Sequence, residues 1–157
     1  MHQHQRALAM RLLNRGFTLV EVLLAAGILA LCLCGLLAAY VNLFFLSDLS
    51  RDMTLANNAM QAKMEELKKT NFDALSSFNG TVFDIAGFSA SLAKGAVFVT
   101  DTGYSELKEA RIVVSFKSRG RLIGEDTNLN GQLNSGEDLN ANNRLDSPVE
   151  SVTLIAK

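Results

Sequence analysis

The chain has 157 residues, 48% of them hydrophobic, and a formal net charge of −1 from 15 Lys+Arg against 16 Asp+Glu. That length holds one domain's worth of core and leaves no room for two. The near-neutral charge excludes a nucleic-acid binder held by bulk charge, and the apolar content excludes a disordered polar tail.

The first sixteen residues carry Arg6, Arg11 and Arg15 and no acid. From Val22 to Leu46 there follow 25 residues without a charge. At about 1.5 Å rise per residue, a helix of that length crosses a bilayer core of about 30 Å. Asp48, Arg51 and Asp52 come next. The excess of positive charge ahead of the span places the N-terminus in the cytoplasm and the rest outside. A secretory signal peptide would have a shorter apolar core, about 7–15 residues, with a small-residue cleavage site behind it. Here no polar residue interrupts the run until Asn42. Cys32 and Cys34 both lie within the span, two residues apart, so on a helix they diverge and cannot bridge. His2 and His4 precede it, and the chain has no Trp. The part beyond the membrane therefore has no disulfide, no His-based triad and no His-ligated zinc.

The span begins Arg15-Gly16-Phe17-Thr18-Leu19-Val20-Glu21. A carboxylate inside an apolar helix costs about 2.5–3.5 kcal/mol at mid-membrane and less near an end. The helix dipole favours an anion at this end, but Glu21 still needs a cationic partner. Cleavage after Gly16 would free an amine on Phe17, which could meet Glu21 of a neighbouring copy. This stretch resembles the class III signal of the type IV pilin-like family. The resemblance implies that prepilin peptidase cuts after Gly16 and N-methylates Phe17. It also implies that Glu21, fifth in the mature chain, sets subunit register. Major pilins often carry a proline in this helix. Here there is none, and Gly27 and Gly35 are its weak points.

The helix is expected to run on past the membrane, from about 18 to 70. Leu49, Met53, Ala56, Met60, Met64 and Leu67 recur with a period of 3.6, a stripe that reads as core packing against the chain's own sheet. Glu65 and Lys69 are spaced for an i,i+4 pair, and Asn71 stands where a left-handed cap is expected. Strands follow at Ala96–Thr100, Ala110–Lys117, Arg121–Gly124 and Val149–Ala156, with a weaker one at Val82–Phe88. In the second of these, Ile112, Val114 and Phe116 alternate with Arg111, Val113, Ser115 and Lys117. The fold class is α+β: a long N-terminal membrane-spanning helix packed against a small antiparallel sheet. The expected organisation is a cleaved leader at 1–16, a transmembrane helix at 17–46, its extramembrane continuation at 47–71, and a sheet domain at 72–157. Residues 61–67 and 107–116 resemble PilV-type minor pilins and the minor pseudopilin I of type II secretion.

Residues 125–150 hold six acids against Arg144 alone, a net −5, together with six asparagines. Asp126, Asn128, Asn130, Gly131, Gln132, Asn134 and Glu137 match the calcium-loop spacing D-x-[DN]-x-[DN]-G-x₅-E. Calcium takes six to eight oxygens from a tight loop. Asp126, Asn128 and Asn130 would give side-chain oxygens, Gln132 a backbone carbonyl, Asn134 a contact through water, and Glu137 two closing oxygens. Leu133 would anchor the loop to the core. A second, weaker pattern follows twelve residues on, at Asp138, Asn140, Asn142 and Asp146, with Asn143 in place of the glycine and Val149 in place of the closing glutamate. Helices do not flank the pattern, so the reading is a calcium loop, 125–148, inserted between two strands. The bland alternative is a polar Asn-rich loop without an ion.

Two classes of function remain. One is a structural subunit, a minor pilin of a type IV pilus or a minor pseudopilin of type II secretion. The other is an enzyme or sensor tethered outside the inner membrane. Tethering needs neither the Gly16–Phe17 junction nor Glu21, and the external part has little catalytic equipment. The expectation is therefore a non-enzymatic subunit, processed by prepilin peptidase and handled by an inner-membrane assembly platform. It would assemble with other pilin or pseudopilin subunits, with calcium as its one cofactor and no nucleic acid. It would start in the bacterial inner membrane and end in a periplasmic or extracellular filament. The length left after the leader is large for a minor pseudopilin, which favours the pilus.

Overall fold

The structure, a computed structural model, describes residues 17–157. The expected leader, with Gly16, lies outside the described residues. The chain forms two compact units, one ending at Phe44 and one running from Phe45 to Lys157.

The first unit is the start of helix α1 (Leu19–Lys69). Thr18 caps it: the Thr18 hydroxyl accepts the Glu21 backbone N–H at 3.2 Å, and its carbonyl accepts the N–H groups of Glu21 and Val22. Thr18 and Glu21 thus stand at the first and last positions of a T-x-x-E capping box, which the sequence reading passed over. Residues 17–44 are exposed on every side. A helix that is apolar all round and covered by nothing suits a lipid or protein surround, not water. α1 is long and apolar enough to cross a membrane. Cys32 and Cys34 are free and exposed.

In the second unit the end of α1 presents one stripe to a five-stranded antiparallel sheet. Ala56, Met60, Met64 and Leu67 are buried, with Leu49 and Met53 packed beside them. The expected period thus delivers the expected face. The charged side pairs differently from expectation. Lys63 bonds Glu66 and Lys68 meets Glu65, both at i,i+3, in place of Glu65 with Lys69. Asn71 is corrected too. Its φ of −58° and ψ of 136° are extended, not left-handed. Its side chain accepts the Asp73 N–H and starts a 3₁₀ helix, Phe72–Phe78. An Asn that opens the next turn cannot also close the last one.

The strands are β1 (Val82–Phe83), β2 (Ala93–Asp101), β3 (Leu107–Ser118), β4 (Arg121–Ile123) and β5 (Val149–Ala156). β2 pairs with β1 on one side and β3 on the other. The expected strand over Val82–Phe88 shrinks to two residues, since Asp84 and Gly87 interrupt it. The other edge of β3 takes both β4 and β5. Ile123 pairs with Phe116, and Val149 with Val114. β5 therefore resumes the line that β4 leaves, and residues 124–148 are an excursion from one interrupted strand.

Alternation divides β3 between two faces. Ala110, Ile112, Val114 and Phe116 join α1, Leu75, Ile85, Val97 and Val149 in the main core. Val113 points the other way, into a second small cluster with Ala96, Leu145, Phe98 and Leu133. The excursion 124–148 lies over this outer face. Leu133 does anchor the loop, but to the outer cluster and not to the main core.

Candidate functional site

The excursion is built from two turns of the same design. In the first, Asp126 accepts the Asn130 N–H on Oδ1 (3.0 Å) and the Gly131 N–H on Oδ2 (2.7 Å). Asn128 Oδ1 accepts the Asn130 N–H, and Asn130 Oδ1 accepts the Gln132 N–H. Twelve residues later Asp138 accepts from Asn142 and Asn143, Asn140 from Asn142, and Asn142 from Arg144. Short polar side chains that bond the backbone two residues on are why Asp and Asn recur at alternate positions. Both turns pass through the left-handed region twice, at Leu129 (φ 58°) and Gly131 (74°), then at Ala141 (57°) and Asn143 (58°). Asn143 tolerates this as expected. Gly131 is needed for space as well. A Cβ there would lie 2.2 Å from Val82 Cγ1 and 3.3 Å from the Ala96 Cβ.

Glu137 closes the first turn. Its Oε1 accepts the Thr127 N–H at 2.9 Å and the Thr127 hydroxyl, and its Oε2 accepts the Asn134 N–H at 2.8 Å and the Asn134 amide at 3.1 Å. Burial pushes the Glu137 carboxyl up, but the bonds from Thr127 and Asn134 outweigh it and hold the group at about 2. It is a carboxylate at any physiological pH.

The second turn has Val149 at the closing position, and Val149 is buried in the main core. A residue from outside the pattern takes its place. Glu125 Oε1 accepts the Leu139 N–H at 3.3 Å and its Oε2 accepts the Asp146 N–H at 3.1 Å. Leu139 and Asp146 are the twelve-residue counterparts of Thr127 and Asn134, so Glu125 does for the second turn what Glu137 does for the first. The sequence signal was present, since Glu125 lies twelve residues before Glu137. Asp146 is also held below the usual carboxylate range, foremost by the Asn140 amide, with Asn142, Arg111 and Arg144 adding to it against the effect of burial.

The structure thus gathers Asp126, Asn128, Asn130, Asn134 and Glu137 in one turn, and Asp138, Asn140, Asn142 and Asp146 in the next. The Gln132 side chain makes no bond within the loop among the described residues; only its backbone takes part, the N–H to Asn130 and the carbonyl to the Asn134 amide at 3.2 Å. Among the described residues no three His, Cys, Asp or Glu side chains converge as a metal-holding group. What the first turn offers is two carboxylates with amide and carbonyl oxygens, the hard-oxygen chemistry of calcium and not the His/Cys chemistry of zinc. Asp126, Glu137 and Glu125 are 1%, 3% and 8% exposed. Among the described residues, the charge pairs in this region use other acids, Asp146 and Glu150 with Arg111 and Glu109 with Arg144.

At the other end of the chain, Phe17 is 81% exposed and Glu21 is exposed in the first turn of α1. A family model described as the prokaryotic N-terminal methylation motif matches residues 11–37. Neither the curated proteins nor the solved structures contain a match to the chain.

Proposed function

Starting from a chain that carries the prokaryotic N-terminal methylation motif on a long apolar helix, and so fits the type IV pilin-like family, we propose that it is a minor structural subunit of a type IV pilus. A pilin-type motif implies prepilin peptidase processing and assembly with other pilin subunits, and it marks a structural protein anchored in a membrane. The observation that carries assembly into a filament is the placement of Glu21, while the length after the leader favours the pilus over type II secretion. Glu21 is an exposed carboxylate on an uncovered apolar helix, four residues after Phe17. In a packed filament that charge is desolvated and needs a cation, and the Phe17 amine of an adjacent subunit supplies one. The inner membrane is the starting compartment, with the N-terminus cytoplasmic. The alternative is a minor pseudopilin of type II secretion. Deleting the gene and scoring surface pili beside secreted exoprotein separates the two. Loss of pili with normal secretion is expected, and the reverse pattern assigns the chain to the secretion system.

Glu21→Ala should insert and be cleaved normally, because the Thr18 hydroxyl still caps the helix and only part of the capping box is lost, about 1 kcal/mol or less. Incorporation into sheared filaments should fall at least tenfold, and unchanged incorporation would overturn the register role.

The excursion 124–148 is read as a calcium site, with Asp126, Asn128, Asn130, the Gln132 carbonyl, Asn134 and Glu137 as the first donor set. Support comes from two nearly fully buried carboxylates, Asp126 and Glu137, with no Lys or Arg salt bridge among the described residues. Buried carboxylates without a counter-charge are costly, and a divalent cation supplies one. Asp138, Asn140, Asn142 and Asp146, with Glu125, form the weaker second candidate.

A further inference from the structure

Arg111 has no role in the calcium reading, yet it is the most buried cation of the outer face. It lies in the middle of β3 and is 6% exposed. Its Nη1 donates to the Leu145 carbonyl at 2.8 Å and approaches Glu150 Oε1 at 3.5 Å and Asp146 Oδ1 at 3.9 Å. The guanidinium carbon stands 4.6 Å from the centre of the Phe98 ring. A guanidinium is always charged and its donors are fixed in a plane, so it can stack on a ring and bond a carbonyl at once. Leu145 itself is 2% exposed against Ala96 and Val113. Two residues on, the Ser147 hydroxyl donates to the Val114 carbonyl. The second turn is therefore fastened to the sheet at several adjacent residues by groups that need no ion.

The first turn also lies against the sheet, at Gly131 beside Val82 and Ala96 and with Leu129 6% exposed, but among the described residues no hydrogen bond fastens it there. Leu133 holds the same repeat position as Leu145 but is only half-buried, and among the described residues no side chain donates to its carbonyl. Among the described residues, its closing carboxylate, Glu137, bonds only groups of its own turn.

We propose that Arg111 is an ion-independent anchor that seats residues 138–148 on the outer face of the sheet, leaving calcium to govern the order of residues 126–137. The second half of this inference rests on the calcium reading, and the first half does not. Local opening is set by the contacts that must break, so the two segments should exchange amide hydrogen differently.

The test is hydrogen exchange by mass spectrometry on the full chain in detergent micelles, in millimolar calcium and in chelator. In the unaltered protein, chelator should speed exchange in 126–137 about tenfold or more and change 138–148 less than twofold. Arg111→Met should speed 138–148 about tenfold or more even with calcium present, since it removes a charged donor from a buried carbonyl. Arg111→Lys keeps the charge but not the planar fork and should fall between. The β2 segment, 93–101, reports whether a variant has folded. If Arg111→Met has not, Phe98→Leu is read instead, and a smaller release of 138–148 is expected from loss of the ring under the guanidinium. Protection of 138–148 that survives every folded variant overturns the anchor. Release of both segments together by chelator in the unaltered protein overturns the division of labour. If chelator moves neither segment while Arg111→Met still frees 138–148, the calcium reading fails and the anchor stands.

Discussion

Extracted from membranes of cells that possess a prepilin peptidase, the chain is expected to begin at an N-methylated Phe17. Mass spectrometry reads this directly as loss of the leader and gain of one methyl group. The local structure suits the cut. α1 starts only at Leu19, and Thr18 closes it from outside, so Phe17 lies ahead of the first hydrogen-bonded turn. Backbone outside a helix reaches a protease without unwinding anything, whereas a bond one turn further in would first have to give up its i→i−4 partners. The new amine is placed next to the positive end of the helix dipole, worth about half a charge, which disfavours a cation there. Glu21 in the first turn offsets that locally, and in the proposed filament Glu21 of a neighbour would do so more fully once water is excluded. Replacing Gly16 with a bulky residue should leave the precursor uncut, an all-or-none change in mass. An intact Met1 start in such cells would sink the processing claim and with it the proposed filament role.

The helix was legible because one stripe kept a 3.6-residue period from Leu49 to Leu67, and the buried residues of α1 fall on it. The end of β3 beyond Ala110 was legible because Ile112, Val114 and Phe116 alternate and are β-branched or aromatic. β2 starts three residues earlier than expected, at Ala93, since Ala93, Lys94 and Gly95 carry no strand preference and join the ladder only because Val114, Ser115 and Phe116 lie opposite. The spacing of the first polar turn was readable because backbone-bonding side chains must alternate. Glu125 was missed because it lies one residue before the pattern, and its partners are residues of the following turn. Arg111 was missed for a different reason. In the strand alternation it reads as an outward polar residue, and only the folding of 124–148 back over the sheet buries it. Local rules reached as far as each element, and the roles of Glu125 and Arg111 depend on where one element comes to rest on another.

Calcium should raise the melting temperature of the full chain in detergent by several degrees, and chelator should reverse it. Outside the cytoplasm a site with a Kd of about 10⁻⁴–10⁻³ M is substantially filled at millimolar calcium. At ten times Kd the stabilisation is about 1.4 kcal/mol, which in a unit of this size shifts melting by several degrees. Magnesium should do little, because it demands tighter octahedral geometry and keeps its water. The variants must be read as calcium increments and not as absolute temperatures. Glu137→Ala strips the acceptors from the Thr127 and Asn134 N–H groups, so it lowers stability by about 1–3 kcal/mol even without an ion. Asn128→Ala is the cleaner probe. Asn128 is exposed and its side chain accepts a single backbone bond, from Asn130, so the ion-free protein should lose little. Both variants, and Asp126→Ala, should abolish or sharply reduce the calcium increment, whereas Asp146→Ala should reduce it only if the second turn also takes an ion. Identical melting in calcium and chelator, with no heat of binding at millimolar calcium, would show that the carboxylates are held by backbone N–H groups and the Thr127 and Asn134 side chains, and that the turns are a polar clasp without a metal.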